Sequence, residues 1–143
     1  MYKKILVGVD GSEDSKKACE VAVELAKKLG SDLIIATVYS PPSIAMGDIP
    51  PYPPTVPKEI EEKLKTMLNE LEEKAKKEGV NVESKIIPAW VAPGAGLVVE
   101  AEKLGCALIV VGSRGLRGLK RALIGSVADY VVKNSDCSVL VVR

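Results

Sequence analysis

The chain has 143 residues, 47% hydrophobic and 27% charged, which is about one domain by length and enough to hide roughly 70% of the unfolded surface. This ordinary globular composition excludes a disordered tail, a collagen-like repeat and a disulfide-stapled miniprotein. Lys and Arg number 20 against 19 Asp and Glu, a formal charge of +1, and that balance argues against general nucleic-acid binding.

No apolar run reaches the ~20 residues of a membrane helix, and Met1-Tyr2-Lys3-Lys4-Ile5 leads straight into a strand-like segment without a signal-peptide pattern. A cytoplasmic protein with no membrane partner is expected. The chain has no His, which removes Ser-His-Asp hydrolysis and most zinc chemistry. Cys19, Cys106 and Cys137 are an odd number, widely spaced among apolar residues, and read as reduced core thiols.

Taken in chain order, five short apolar runs alternate with helical or punctuated segments: Ile5 to Val9, Leu33 to Tyr39, Val82 to Ile87, Ala107 to Val111 and Ser138 to Val142. The alternation predicts βαβ units around a parallel sheet, an α/β fold in one domain over residues 1–143. The second, fourth and fifth runs are nearly continuous in Ile, Leu and Val, as expected of strands covered on both faces.

Ala18, Val21, Ala22, Leu25, Ala26 and Leu29 recur at helical spacing, with Ser12 or Asp14 as N-cap and Gly30 as the stop. Ile60, Leu64, Met67, Leu68, Leu71 and Ala75 make the same stripe on a second helix ending at Gly79. A third follows Pro93, its first turn weakened by Gly94 and Gly96, and a fourth opens near Ser126 and runs to about Asn134. The segment from Pro41 to Pro57 holds seven of the nine prolines and fits neither helix nor central strand. It reads as a lid, a partner contact or a passive loop.

In an open parallel sheet, ligands bind beyond the carboxyl ends of the strands where the strand order reverses. If the order is 3-2-1-4-5, the loops after strands one and four face one another. The first offers Gly8-Val9-Asp10-Gly11-Ser12, with Asp10 either facing a ligand or serving as a turn residue. The second offers Gly112-Ser113-Arg114-Gly115, then nine residues, then Gly125-Ser126. Glycines there let successive N–H groups converge on an anion, the helix opening at Ser126 adds donors, and Arg114, Arg117, Lys120 and Arg121 supply cations. A polyphosphate is the natural guest, although the spacing is neither the P-loop nor the dinucleotide fingerprint.

With Ile5-Leu6-Val7-Gly8-Val9-Asp10-Gly11-Ser12, Gly112-x-x-Gly115-x9-Gly125-Ser126 and the closing Cys137-Ser138-Val139-Leu140-Val141-Val142, the chain resembles the ATP-binding branch of the universal stress protein family over essentially its whole length. The resemblance implies a doubly wound five-stranded parallel sheet in order 3-2-1-4-5 with helices on both faces, a homodimer paired through the last strand, and ATP at the switch point. Carried over by position, it implies that Val38 meets adenine through its backbone, and that Gly8, Val9 and Asp10 lie beside ribose and phosphates, with Asp10 reaching Mg2+ through water. Ribose and phosphates would be held by Val111, Gly112, Ser113, Arg114, Gly115, Leu116, Arg117 and Gly118, and by Gly125, Ser126 and Val127. The expected role is a stress-response module whose ATP occupancy an unidentified protein partner reads. The alternative is an enzyme, a slow ATPase or a protein that phosphorylates itself on a nearby Ser or Thr such as Ser113 or Ser126. It is disfavoured because no convincing second carboxylate accompanies Asp10.

Overall fold

The computed structural model describes residues 1–41, 55–89, 92–114 and 124–143. In chain order its elements are β1 (Lys4–Gly8), α1 (Glu13–Leu29), β2 (Asp32–Tyr39), α2 (Lys58–Lys77), β3 (Val82–Pro88), α3 (Pro93–Leu104), β4 (Leu108–Gly112), α4 (Ser126–Asn134) and β5 (Ser138–Val142). The five strands form one sheet in order β3-β2-β1-β4-β5, every pairing parallel. All five expected strands are present, each within a residue of its expected ends. Of the proline-rich segment, 42–54 lie outside the described residues.

Alternate side chains of each central strand point to opposite faces, and the two cores follow that period of two. Ile5, Val7, Leu33, Ile35, Leu108 and Val110 face α1 and α2, where Ala18, Cys19, Ala22, Ala26, Leu68 and Ala75 meet them. Leu6, Ile34, Ala36, Ile109 and Val111 face α3 and α4, against Leu97, Val98, Ala101, Ala128 and Val131. Leu6 and Ile109 are fully enclosed, each contributing about 1.5–3 kcal/mol by burial.

Ser12 caps α1, its side chain accepting from the Ser15 N–H, and Gly30 ends it in the left-handed conformation. Small Ala and Cys side chains on the buried stripe let α1 approach the sheet closely. Leu29, expected in that stripe, is instead 51% exposed. It occupies the final turn, at the amino end of the sheet, where β2 is only starting.

Two further expectations change. The expected weakness of the first turn of α3 is a packing device, because Gly94 lies against Tyr130 of α4 and Gly96 against Val38 of β2, with no room for a methyl group at Gly94. The last strand, expected to be covered on both faces, is covered there only in part: at the sheet edge, Leu140 and Val142 pack on one core and Val139 and Val141 on the other, all half-buried. No described helix is long and apolar enough to cross a membrane.

Candidate functional site

The reversal of strand order falls between β1 and β4, which both pair with one another and lead in opposite directions across the sheet. Beyond their carboxyl ends lies a cavity of about 330 Å3. Gly8, Val9 and Asp10 reach it from the end of β1, Val38 from β2, Val111, Gly112 and Arg114 from β4, and Gly125, Ser126 and Val127 from the start of α4. Ten of the residues singled out in the sequence thus line one cavity. Gly115, Leu116, Arg117 and Gly118, with Lys120 and Arg121, lie outside the described residues.

Each side of the cavity has a local cause. Asp10 closes an Asx turn, its Oδ1 accepting from the Ser12 N–H at 2.9 Å, while its own N–H donates to Ser15 Oγ at 3.2 Å. The turn-residue reading of Asp10 therefore holds, and its exposed carboxylate still borders the cavity. At the start of α4, Gly125 is the N-cap and no side chain caps the helix. The first-turn N–H groups of an uncapped helix lack intrahelical partners and carry the positive end of the dipole. The Gly125 N–H is itself turned back to the Ser113 carbonyl at 2.6 Å, and the Ser113 N–H donates to the Val142 carbonyl at 2.8 Å. Ser113 therefore ties the end of β4 to both α4 and β5, and it stands behind the cavity wall.

Asp14, considered in the sequence only as a possible cap, turns out to be central. It lies in the first turn of α1, 6% exposed, and its Oδ2 accepts from Arg114 Nε at 3.0 Å and from Ser113 Oγ at 3.1 Å. A second guanidinium nitrogen of Arg114 reaches Oδ1 at 3.4 Å. The Arg114 guanidinium holds the Asp14 carboxyl below the usual carboxylate range, against the opposing pull of burial. Only the fold reveals this pairing, since no local spacing links positions a hundred residues apart in the chain. Ala36, Pro93, Leu97, Ala128 and Ser15 also line the cavity and were legible in the sequence only as core or helix positions.

A larger trough, about 960 Å3, separates α1 from α2 and is bordered by Lys16, Lys27 and Lys74 alongside Glu20, Glu24 and Glu70. Most of its lining comes from the bodies of α1 and α2, whose backbone N–H groups are spent within the helices. The smaller cavity, with glycines and a helix start converging on it, is the better anion site.

A family model described as the Universal stress protein family matches residues 1–143. The chain belongs to the universal stress protein family. Universal stress protein YxiE of Bacillus subtilis (strain 168) is 36% identical to it over 150 residues that span the whole of both chains. A universal stress protein solved in complex with cAMP is 29% identical, with a TM-score of 0.76 over 99% of this chain and 97% of that one. The Archaeoglobus fulgidus universal stress protein in complex with dAMP is 23% identical, with a TM-score of 0.73 over 99% and 98% of the two chains, a likeness of fold. Two solved universal stress proteins of this architecture thus hold adenine nucleotides, cAMP in one and dAMP in the other.

Proposed function

We propose that this universal stress protein is an ATP-binding regulatory module that works as a homodimer, its nucleotide occupancy read by a protein partner in the stress response. One observation carries the reading: the 330 Å3 cavity at the switch point, lined by apolar Val38 and Leu97 together with polar Asp10, Arg114 and the start of α4. An adenine ring needs the first set and phosphates need the second. The cAMP complex of a 29% identical relative supports an adenine nucleotide as the ligand class.

Mg2+ fits this site in a restricted way. Among the described residues no group of three or more His, Cys, Asp or Glu could hold a metal ion, whereas Asp10 offers one carboxylate at the cavity rim. That donor set suits a cation that arrives with phosphates and keeps most of its waters. When bound, Mg2+ would neutralise phosphate charge beside Asp10, through a water.

The enzyme alternative gains little from the geometry. Ser113, one candidate acceptor, is buried with its hydroxyl donating to Asp14, while Ser126 is exposed at the head of α4. The test is chromatography of small molecules released from freshly purified protein, followed by calorimetric titration with ATP, AMP and cAMP. ATP binding with no ADP formed over hours is the expected result. Steady ADP production lost in Asp10→Ala would establish the enzyme, preference for a monophosphate would move the ligand to AMP or cAMP, and no binding at all would sink the nucleotide reading.

A further inference from the structure

We propose that Asp14 is a positioning residue for phosphate recognition, its buried carboxylate holding Arg114 on the cavity wall so that it acts on a bound nucleotide only through Arg114. This rests on the nucleotide reading above and adds a residue that does not line the cavity. Arg114 does line it, and Asp14 stands behind, in the first turn of α1.

Three constraints converge on this point. A methyl group at Gly112 would sit 2.8 Å from the backbone carbon of Asp14 and 3.0 Å from the Ser15 nitrogen, so β4 ends pressed against the first turn of α1. The two residues that follow are then fixed by one carboxylate, Ser113 at 3.1 Å and Arg114 at 3.0 Å. Ser113 is held a second time by main-chain bonds to Val142 and Gly125. The Arg114 side chain, 30% exposed, is long and rich in rotamers, and the Asp14 carboxylate restrains it. Gripped by Asp14 at Nε and at one Nη, it is ordered before any ligand arrives, and a guanidinium spreads its N–H groups to several sides of one plane, so that it can donate to phosphate oxygens as well as to a carboxylate. Ordering a side chain in advance removes an entropic cost from binding.

A carboxylate next to the arginine also offsets its charge. The two effects have opposite signs, and the built-in geometry favours positioning: the carboxylate is enclosed, shared with Ser113 and wedged by Gly112, whereas a simple charge competitor needs none of these.

Adenosine lacks phosphate and serves as the internal control. The full chain, Asp14→Asn, Arg114→Gln and the double variant are titrated by calorimetry with ATP and with adenosine. Asp14→Asn should weaken ATP about tenfold and leave adenosine within about twofold. Arg114→Gln should do the same, and the double variant should bind ATP no worse than Arg114→Gln alone, the signature of a residue acting through another. Unchanged or tighter ATP binding by Asp14→Asn overturns the proposal, as do equal losses for both ligands or additive losses in the double variant. If Asp14→Asn does not fold, Arg114→Gln decides: no difference between its ATP and adenosine losses overturns the proposal. Wild-type protein that binds neither ligand fails the nucleotide reading itself, and the proposal falls with it.

Discussion

Gly8 and Gly112 end neighbouring strands at the mouth of the cavity, yet an added methyl group meets different obstacles at each. At Gly8 it would approach Leu97 Cδ1 to 2.7 Å, the far end of a side chain that can turn, whereas at Gly112 it meets the backbone of Asp14. Gly112→Ala should therefore cost about 2 kcal/mol or more, and Gly8→Ala less than about 1 kcal/mol, in urea unfolding. Equal costs would contradict the wedge. Asp14 gives a pH-dependent prediction at the same scale. Its folded-state pKa lies below the ordinary value, chiefly because of its hydrogen bond to Arg114, with smaller help from Ser113 and Lys17. A lowered carboxyl pKa adds stability that is present above the unfolded-state value near ~3.9 and is lost as pH falls through the lower folded value. Urea midpoints measured from about pH 6 down to about pH 2 should fall less steeply for Asp14→Asn than for the parent, and parallel curves would remove Asp14 from the acid response.

At the scale of elements, α3 and α4 meet where Gly94 packs on Tyr130 with no space for a side chain. Gly94→Ala would push the start of α3 from α4 and cost about 1–3 kcal/mol. Because α4 begins at the cavity, the same change should weaken ATP binding in calorimetry, while Gly79→Ala, away from the cavity with open space around it, should leave affinity alone. Strands and helices were legible because each relies on a local period: continuous Ile, Leu and Val for the central strands, and stripes at three and four for α1 and α2. The glycines of α3 were legible as weak helix formers and not as contacts, since what a glycine packs against is set by a different element. Asp14 was missed for the same reason. Its partners Ser113 and Arg114 follow the end of β4, and a charged residue in a first helical turn is satisfied by the helix dipole without any partner at all.

For the whole molecule, β5 is the exposed question. Its four consecutive apolar residues remain half-buried at the sheet edge, and an apolar edge is a template for another strand. Pairing with the same strand of a second copy would cover it in a closed two-fold arrangement. Light scattering should give a dimer mass for the parent and a monomer or aggregate for Val141→Lys, and a soluble unchanged dimer would end the edge-pairing idea. The continuous apolar run does mark side chains that pack on both cores, Leu140 and Val142 on one and Val139 and Val141 on the other, but how completely they are covered depends on the strand's place at the edge, which nothing local to the run encodes.

The sheet order also bears on how the chain is made. β1 lies at the centre, paired on one side with β2 and on the other with β4, so that Ile5 must wait for Leu108 before its second edge is filled. A ribosome therefore releases the central strand long before its last partner, and in the interval Leu6 and Val7 border an open groove in a half-built sheet. Nascent chains stalled before β4 should bind chaperones or aggregate, whereas those carried past β4 close the centre of the sheet before α4 and the outer strand are added.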